Sequence, residues 1–225
     1  MIQRYPQTSL PYFEGHPDRL PKAPTAPTVN DEFDDVNLNS KWTLTSSGSV
    51  THDINTTWPS HFYGTINLNA AANITLLQTY QPAADFSITA KIIVNMNKSV
   101  EYFYIDNYSA DESDGIRIGI RVNTVSGTLL PAGYFHTRTS STWSAATIVD
   151  PVCKQDTFYI HSQRIGTSNS GWISFNGMSF FRVGVATQVW TPDHFQLIWG
   201  SSATGNVYVR RTGIDWVRAN WITLT

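Results

Sequence analysis

Hydrophobic and polar residues alternate along much of the chain after residue 31. The clearest case is residues 115–122, where three isoleucines and Val122 share one face and Arg117 and Arg121 share the other. A period of two is typical of a β-strand with one buried face. Residues 87–94 are rich in β-branched side chains and predict a second strand of this kind.

Further short strands are predicted in the second half of the chain. Residues 158–162 and 171–175 are interpreted as a strand pair, and Asn176-Gly177 is a strong tight-turn signal into residues 178–183. Residues 206–210 and 213–218 predict two more strands. No stretch of ten or more residues has helical spacing, so the pattern predicts an antiparallel β-sandwich or barrel.

The first 30 residues have a different composition. They contain six of the 11 prolines, which fix φ and remove amide donors, so this segment is predicted to be extended. We divide the chain into an anchoring arm, 1–30, and a folded body, 31–225; a solvated tail is the alternative for the arm. Five apolar side chains are candidates for anchoring the arm: Tyr5, Leu10, Tyr12, Phe13 and Leu20.

Composition narrows the classes of partner. The 15 Lys and Arg residues nearly balance 17 Asp and Glu, which argues against nucleic acid or an anionic membrane as the main partner. Only 14% of residues are charged while 13% are aromatic, so part of the surface is expected to face another protein or a sugar. The single cysteine, Cys153, excludes intrachain disulfides and thiolate zinc sites. No apolar run is typical of a signal peptide or membrane span, which favours a protein made in a cytosol.

Four segments, in chain order, resemble one superfamily. They are the start Asp31-Glu32-Phe33-Asp34-Asp35 with Leu38 and Lys41-Trp42, residues 82–91, residues 158–181 with a Ser-x-Asn-Gly turn at 174–177, and residues 214–218. This series is similar to the concanavalin A-like lectin/glucanase superfamily, and the resemblance implies an antiparallel jelly-roll β-sandwich. With its Pro-rich leader, the start most resembles lectin-like modules of bacteriophage virion structural proteins.

The glucanases of that superfamily carry Glu-x-Asp-x-(x)-Glu on one strand, which places alternate carboxylates on one face. Glu32-Phe33-Asp34 and Glu112-Ser113-Asp114 each begin this motif, but neither has the second glutamate. We therefore expect no catalytic residues and no enzyme activity, with a polysaccharide-degrading enzyme as the least favoured reading.

An acidic cluster occupies residues 111–115. We interpret it as a solvated turn before a strand, and we expect no cofactor. The alternative is a Ca²⁺ loop, for which Asp106, Asp111 and Asp114 are the first ligands to test. The six histidines show no metal-binding spacing, and no Gly-x-Ser-x-Gly nucleophile motif is present.

Sugar binding needs exposed aromatic faces beside polar groups. Five candidates lie in apparent loops: Trp58, Tyr108, Tyr134, His136 and Trp143. The alternative is that each packs over the end of the sandwich. Four other tryptophans lie in strand patterns and are predicted to be core: Trp42, Trp172, Trp199 and Trp216.

These observations lead to two functional hypotheses. The first is a non-enzymatic virion structural protein, associated with the head or the tail, assembled in the host cytoplasm and displayed on the particle surface. Its arm would bind other virion proteins, and it would be oligomeric. The second is a carbohydrate-binding or receptor-binding module that recognises a host surface glycan.

Overall fold

The computed structural model describes residues 30–57, 59–66, 71–79, 85–95, 101–125, 128–149, 156–201 and 210–221. These residues form 15 β-strands and no helix, so no described helix could cross a membrane. The strands are β1 (Thr43–Ser47), β2 (Val50–Ile54), β3 (Phe62–Ile66), β4 (Ala72–Thr79), β5 (Phe86–Asn95), β6 (Glu101–Tyr108), β7 (Gly115–Val125), β8 (Thr128–Thr139), β9 (Thr142–Trp143), β10 (Thr147–Val149), β11 (Thr157–Ile165), β12 (Ser168–Ser174), β13 (Phe181–Thr187), β14 (His194–Ser201) and β15 (Arg210–Trp221).

The strands make two antiparallel sheets. The eight-stranded sheet has the order β1-β4-β14-β6-β7-β8-β10, with β9 paired to β8, and the seven-stranded sheet has the order β13-β12-β11-β5-β15-β3-β2. Neighbours in space are often far apart in sequence, since β14 lies between β4 and β6, and β15 lies between β5 and β3. The all-β sandwich predicted from the alternating pattern is confirmed.

The hydrophobic core lies between the two sheets. In β7, Ile116, Ile118 and Ile120 are completely buried against it, and the alternate positions, Arg117 and Arg121, face outward as predicted. The strand predicted at residues 87–94 is the centre of β5, whose even-numbered residues are core residues.

The predicted hairpin is present, with one difference. β11 and β12 pair over seven positions, and the turn after them is built by Ser174, whose Oγ accepts a hydrogen bond from the Gly177 amide at 3.0 Å. Gly177 adopts a φ of 70°, which glycine favours. The next strand begins at Phe181, because the Asn176 side chain accepts hydrogen bonds from the Met178 and Ser179 amides and prolongs the turn.

The acidic segment at the start of the folded body contacts β15. Asp31 exchanges two backbone hydrogen bonds with Val217 of β15, at 2.9 and 2.8 Å. The buried Asp31 carboxylate also accepts a hydrogen bond from the Trp42 indole at 2.7 Å and pairs with Lys41 at 3.1 Å. Phe33 is fully buried and stacks on Trp42 at 5.9 Å. The motif that carried the resemblance therefore consists of residues that close the core.

Two of the four tryptophans predicted to be core are placed differently. Trp42 and Trp199 lie in the core between the sheets. Trp172 and Trp216 are buried but lie on the side of the seven-stranded sheet that points away from the core. The guanidinium groups of Arg182 and Arg218 lie over their rings. The period-two pattern could not distinguish the two faces because both carry large side chains here.

The predicted anchoring arm ends where the described chain begins. Its residues 1–29, including all five anchoring candidates, lie outside the described residues, as do residues 206–209 of a predicted strand.

Candidate functional site

The outward side of the eight-stranded sheet carries a dense group of aromatic and charged side chains, which we call the outer face. It is formed by alternate residues of β6, β7, β8 and β14, whose other residues point into the core, together with β9. Its main members are Tyr102, Tyr104, Asp106, Tyr108, Arg117, Arg121, Tyr134, His136, Arg138, Trp143, His194 and Gln196.

A buried ion pair lies at the centre of the outer face. Asp106 and Arg117 are direct cross-strand neighbours, and the completely buried carboxylate accepts two hydrogen bonds from the guanidinium, both at 2.7 Å. Tyr108 and Gln196 donate to the same carboxylate at 2.9 and 3.0 Å. Burial alone would lower the pKa of Arg117, but the pairing with Asp106 outweighs it and raises the pKa. The centre is thus an ion pair held by several hydrogen bonds.

The Trp143 ring makes cation–π contacts with two arginines. The Arg117 guanidinium lies between the rings of Tyr104 and Trp143, 4.7 and 4.3 Å from their centroids. Arg138 lies 5.3 Å from the Tyr108 ring and 5.5 Å from that of Trp143. Cation–π contacts of this kind stabilise by about 0.5–2 kcal/mol each. They fix the aromatic and guanidinium planes relative to each other.

Tyrosine side chains form the middle of the outer face. Tyr102 and Tyr104 stack at 4.9 Å with an angle of 9° between their rings. Gly119 lies between Tyr104 and Tyr134 in the strand register. A Cβ on Gly119 would approach the Phe103 carbonyl oxygen to 2.0 Å and a Tyr104 ring carbon to 2.7 Å, so glycine allows the β6 backbone and the Tyr104 ring to lie close to this point of β7. Burial raises the pKa of Tyr102, Tyr104 and Tyr108, and all three hydroxyls stay protonated at neutral pH.

His136 continues this group of aromatic rings toward β9. It stacks on Tyr134 at 6.1 Å, meets the Trp143 ring edge-on at 6.0 Å, and its Nδ1 lies 3.1 Å from the Ser144 carbonyl oxygen. Burial, with the positive charge of Arg117 nearby, lowers the pKa of His136, so the ring is neutral at pH 7. A neutral imidazole can both donate and accept a hydrogen bond.

The structure brings four of the five predicted sugar-contact residues together on the outer face. These are Tyr108, Tyr134, His136 and Trp143, and Trp58 lies outside the described residues. Their expected position in loops was wrong. Tyr108 ends β6, Trp143 ends the two-residue strand β9, and Tyr134 and His136 lie within β8.

Pro131-x-Gly133, just before Tyr134 and His136, has the composition of a turn but does not form one. Both residues lie in β8, paired with Val122 and Ile120 of β7. Among the described residues, β10 pairs with β8 only as far as Gly133, so Pro131 lies two residues past that ladder.

The acidic residues at the end of the sheet form a hydrogen-bonded turn. Asp111 accepts hydrogen bonds from the Ser113 amide at 3.0 Å and the Ser109 hydroxyl at 2.8 Å, which lower the pKa of Asp111 to about 2. This turn and residues 190–193 line a shallow depression of about 340 Å³. Asp106 is committed to Arg117, and in the described ranges no group of three or more His, Cys, Asp or Glu residues is arranged to hold a metal. The structure does not assemble Asp106, Asp111 and Asp114 as a ligand set.

Both partial Glu-x-Asp motifs lie outside the strands. Glu32 pairs with Arg218 at 3.0 Å, while Phe33 between the two acids is buried in the core. Glu112 and Asp114 belong to the turn after β6. The strand geometry that would align alternate carboxylates is therefore missing at both motifs.

Tyr102, Tyr104 and Gln196 also belong to the outer face but were not predicted. A signal for the first two was present, because residues 102–108 read Tyr-x-Tyr-x-Asp-x-Tyr. Aromatic residues at period two with an acid among them indicate a strand with a polar, aromatic outer side. Gln196 gave no comparable signal, since its role comes from β14 lying beside β6.

No protein-family model matches the chain, and no curated protein matches its sequence. Several solved structures share its fold. The GH43 protein BlXynB from Bacillus licheniformis has a TM-score of 0.66 and 12% identity, covering 91% of this chain and 41% of that one. The VIP36 exoplasmic/lumenal domain in a Ca²⁺/Man2-bound form has a TM-score of 0.61 and 9% identity, covering 88% and 89%. The CBM2 module of the evolved Dit of Lactobacillus casei BL23 phage J-1 has a TM-score of 0.61 and 10% identity, covering 88% and 96%.

At these identities the likeness establishes the fold. The chain is an antiparallel jelly-roll β-sandwich, as its sequence predicted, and it shares this fold with those structures. It spans 41% of the length of BlXynB and most of the VIP36 domain and of the phage module.

Proposed function

We propose that this chain is a non-enzymatic carbohydrate-binding module whose site is the outer face, and that it is displayed on a bacteriophage particle. The observation that carries the proposal is the cluster around Trp143, in which two guanidinium groups and three aromatic rings are held in fixed contact. The fold is shared with the mannose-bound VIP36 domain and with a phage module named as a carbohydrate-binding one.

The chemistry of the outer face suits a sugar. A pyranose ring presents C–H groups that stack on aromatic faces, and its hydroxyls need donors and acceptors beside those faces. Trp143, His136 and Tyr102 are partly exposed, and Gln196 and Arg117 offer polar groups between them. Because these groups are already fixed by their neighbours, little conformational entropy is lost when a ligand binds.

The state of Asp106 supports binding without hydrolysis. Glycoside hydrolysis uses two carboxylic groups, one of which donates a proton while the other attacks or activates water. Asp106 is the acid at the centre of the outer face, and both of its oxygens are engaged by Arg117, with further hydrogen bonds from Tyr108 and Gln196. A carboxylate held in this way is not free to attack a sugar or to transfer a proton.

A glycan array tests the proposal, with a matched pair of variants. The wild-type protein should bind a defined subset of glycans, and Trp143→Ala should lose that binding at least tenfold. Trp172→Ala is the control, because it makes the same chemical change on the opposite sheet. Selective binding that survives Trp143→Ala would move the site away from the outer face. An array with no bound glycan, or turnover of a polysaccharide by the purified protein, would reject the proposed function.

The phage setting predicts a role for the arm. We propose that residues 1–29 attach the module to another virion protein of the head or tail, in an oligomeric arrangement. A deletion should stop before Asn30, because its side chain accepts a hydrogen bond from the Ala219 amide at 2.8 Å and its carbonyl accepts one from Lys41. The shortened protein should keep its thermal stability but fail to join particles. Normal incorporation would reject the anchoring role and leave glycan binding untouched.

A further inference from the structure

We infer that the saccharide bound by the outer face is anionic, and that Arg121 binds its carboxylate or phosphate group. This inference rests on the proposed function and narrows it to a class of ligand.

The charges of the outer face are unevenly compensated. Arg117 is neutralised by Asp106. Arg138 lies 4.0 Å from Glu112, an exposed acid at the rim. Arg121 differs from both, since no hydrogen bond or ion pair joins it to any residue in the part of the chain that the structure describes. It is the cross-strand neighbour of Tyr102, and its guanidinium lies 5.8 Å from the centroid of the Tyr134 ring. The Nε of Arg138 also lacks a hydrogen-bond partner, but Arg138 has Glu112 nearby, whereas Arg121 has no anion beside it among the described residues.

Part of the Arg121 side chain is buried, so the lack of a neighbouring anion is unfavourable. Its Nε is buried and has no acceptor among the described residues. A buried charged donor without a partner is unfavourable, and an anion bound at the partly exposed guanidinium would offset its charge. Arginine suits carboxylate and phosphate because its planar fork donates two parallel hydrogen bonds to them.

Arg121 lies at a distance from Arg117 that a short oligosaccharide could span. Arg121 and Arg117 are four residues apart on β7, about 13 Å along the strand. Between them lies Gly119, flanked in the register by Tyr104 and Tyr134. Tyr104 and Tyr134 themselves are only 4% and 5% exposed, so a saccharide would contact the partly exposed side chains of Tyr102 and His136. It would have the Arg117–Trp143 cluster at one end and Arg121 at the other, so an acid group would be selected at the Arg121 end.

The preference for an acidic sugar is expected to come from Arg121 and not from the net charge of the protein. The chain as a whole carries a formal charge of −2, so it does not attract anions in general. Preference for an acidic sugar should therefore depend on Arg121 and disappear when it is replaced.

The experiment uses glycans in matched pairs. The full-length protein is applied to an array that carries uronic-acid, sialylated and phosphorylated glycans beside the same backbones without the acid, and the best pair is then titrated by calorimetry. The wild-type protein should bind the acidic member at least tenfold more tightly. The carboxylate and phosphate members of the array show which source of charge the site accepts.

Two variants assign the preference to one side chain. Arg121→Gln should bring the acidic and neutral members to equal affinity, and Arg121→Lys should keep part of the preference. Arg182→Gln, on the exposed side of the opposite sheet, should change nothing.

The outcomes separate this inference from the proposed function. Equal binding of acidic and neutral partners by the wild-type protein, or a preference that survives Arg121→Gln, overturns the inference and leaves a glycan-binding module. Absence of binding to every glycan overturns both.

Discussion

Replacing Asp106 with alanine should destabilise the protein strongly. The carboxylate is completely buried and accepts four hydrogen bonds, two of them from Arg117. Removing one partner of a buried ion pair costs about 3–5 kcal/mol, because the other charge is left uncompensated. The Arg117 side chain is 20% exposed, so water can partly solvate it, and we expect the lower end, about 3 kcal/mol. For a domain of this size that corresponds to a fall in Tm of about 6–12 °C.

The matched control is a second ion pair with the same separation. Lys91 and Asp215 are 2.7 Å apart on the other sheet, but their side chains are 24% and 22% exposed. Asp215→Asn should therefore cost about 1 kcal/mol or less. Urea denaturation followed by tryptophan fluorescence measures both variants.

The double variant Asp106→Leu/Arg117→Met completes the test. It removes both charges and should recover most of the stability lost in Asp106→Ala, since an apolar pair no longer leaves a buried charge unpaired. If Asp106→Ala lost less than 1 kcal/mol, or no more than Asp215→Asn, the buried pair would not be the structural centre described above.

Two further substitutions test the packing and the ionisation of other buried residues. Gly119→Ala should cost about 2 kcal/mol in urea denaturation, because its Cβ would meet the Phe103 carbonyl oxygen at 2.0 Å and the Tyr104 ring at 2.7 Å; a loss below 0.5 kcal/mol would mean that β6 moves aside freely. Burial lowers the pKa of His161 from 6.5 to about 3, so below pH 6.5 the unfolded chain binds a proton that the folded protein does not. Stability should fall by about 1.4 kcal/mol per pH unit on this account between pH 6.5 and 3. His161→Gln should show a shallower fall in a pH series of denaturation midpoints, and an unchanged slope would contradict the assignment.

The strands could be predicted where one face is apolar and the other is not. The isoleucines of β7 met that condition, and their alternation gave both the strand and the outward direction of Arg117 and Arg121. In β6 both faces carry large side chains, since Phe103 and Ile105 point inward and tyrosines point outward. An alternation of apolar and polar residues is therefore missing there, and the period-two tyrosines were the signal that could have indicated the strand.

The site was harder to predict, because it depends on how strands lie beside each other. The individual candidates Tyr108, Tyr134, His136 and Trp143 could be chosen by residue type, but sequence does not say that they share a face. That follows from the order β14-β6-β7-β8. Pro131 and Gly133 suggested a loop because of their residue types, although both are paired with β7 within β8.

The position of β15 has a consequence for how the chain is made. It is the last strand along the described chain, yet it lies between β5 and β3 in the middle of its sheet, and Asp31 pairs with it. Until β15 has been synthesised, β5 and β3 have no partner between them, and their open edges can pair with other nascent chains. We therefore expect folding to wait until β15 has left the ribosome and to be slow, as it is for proteins dominated by distant contacts.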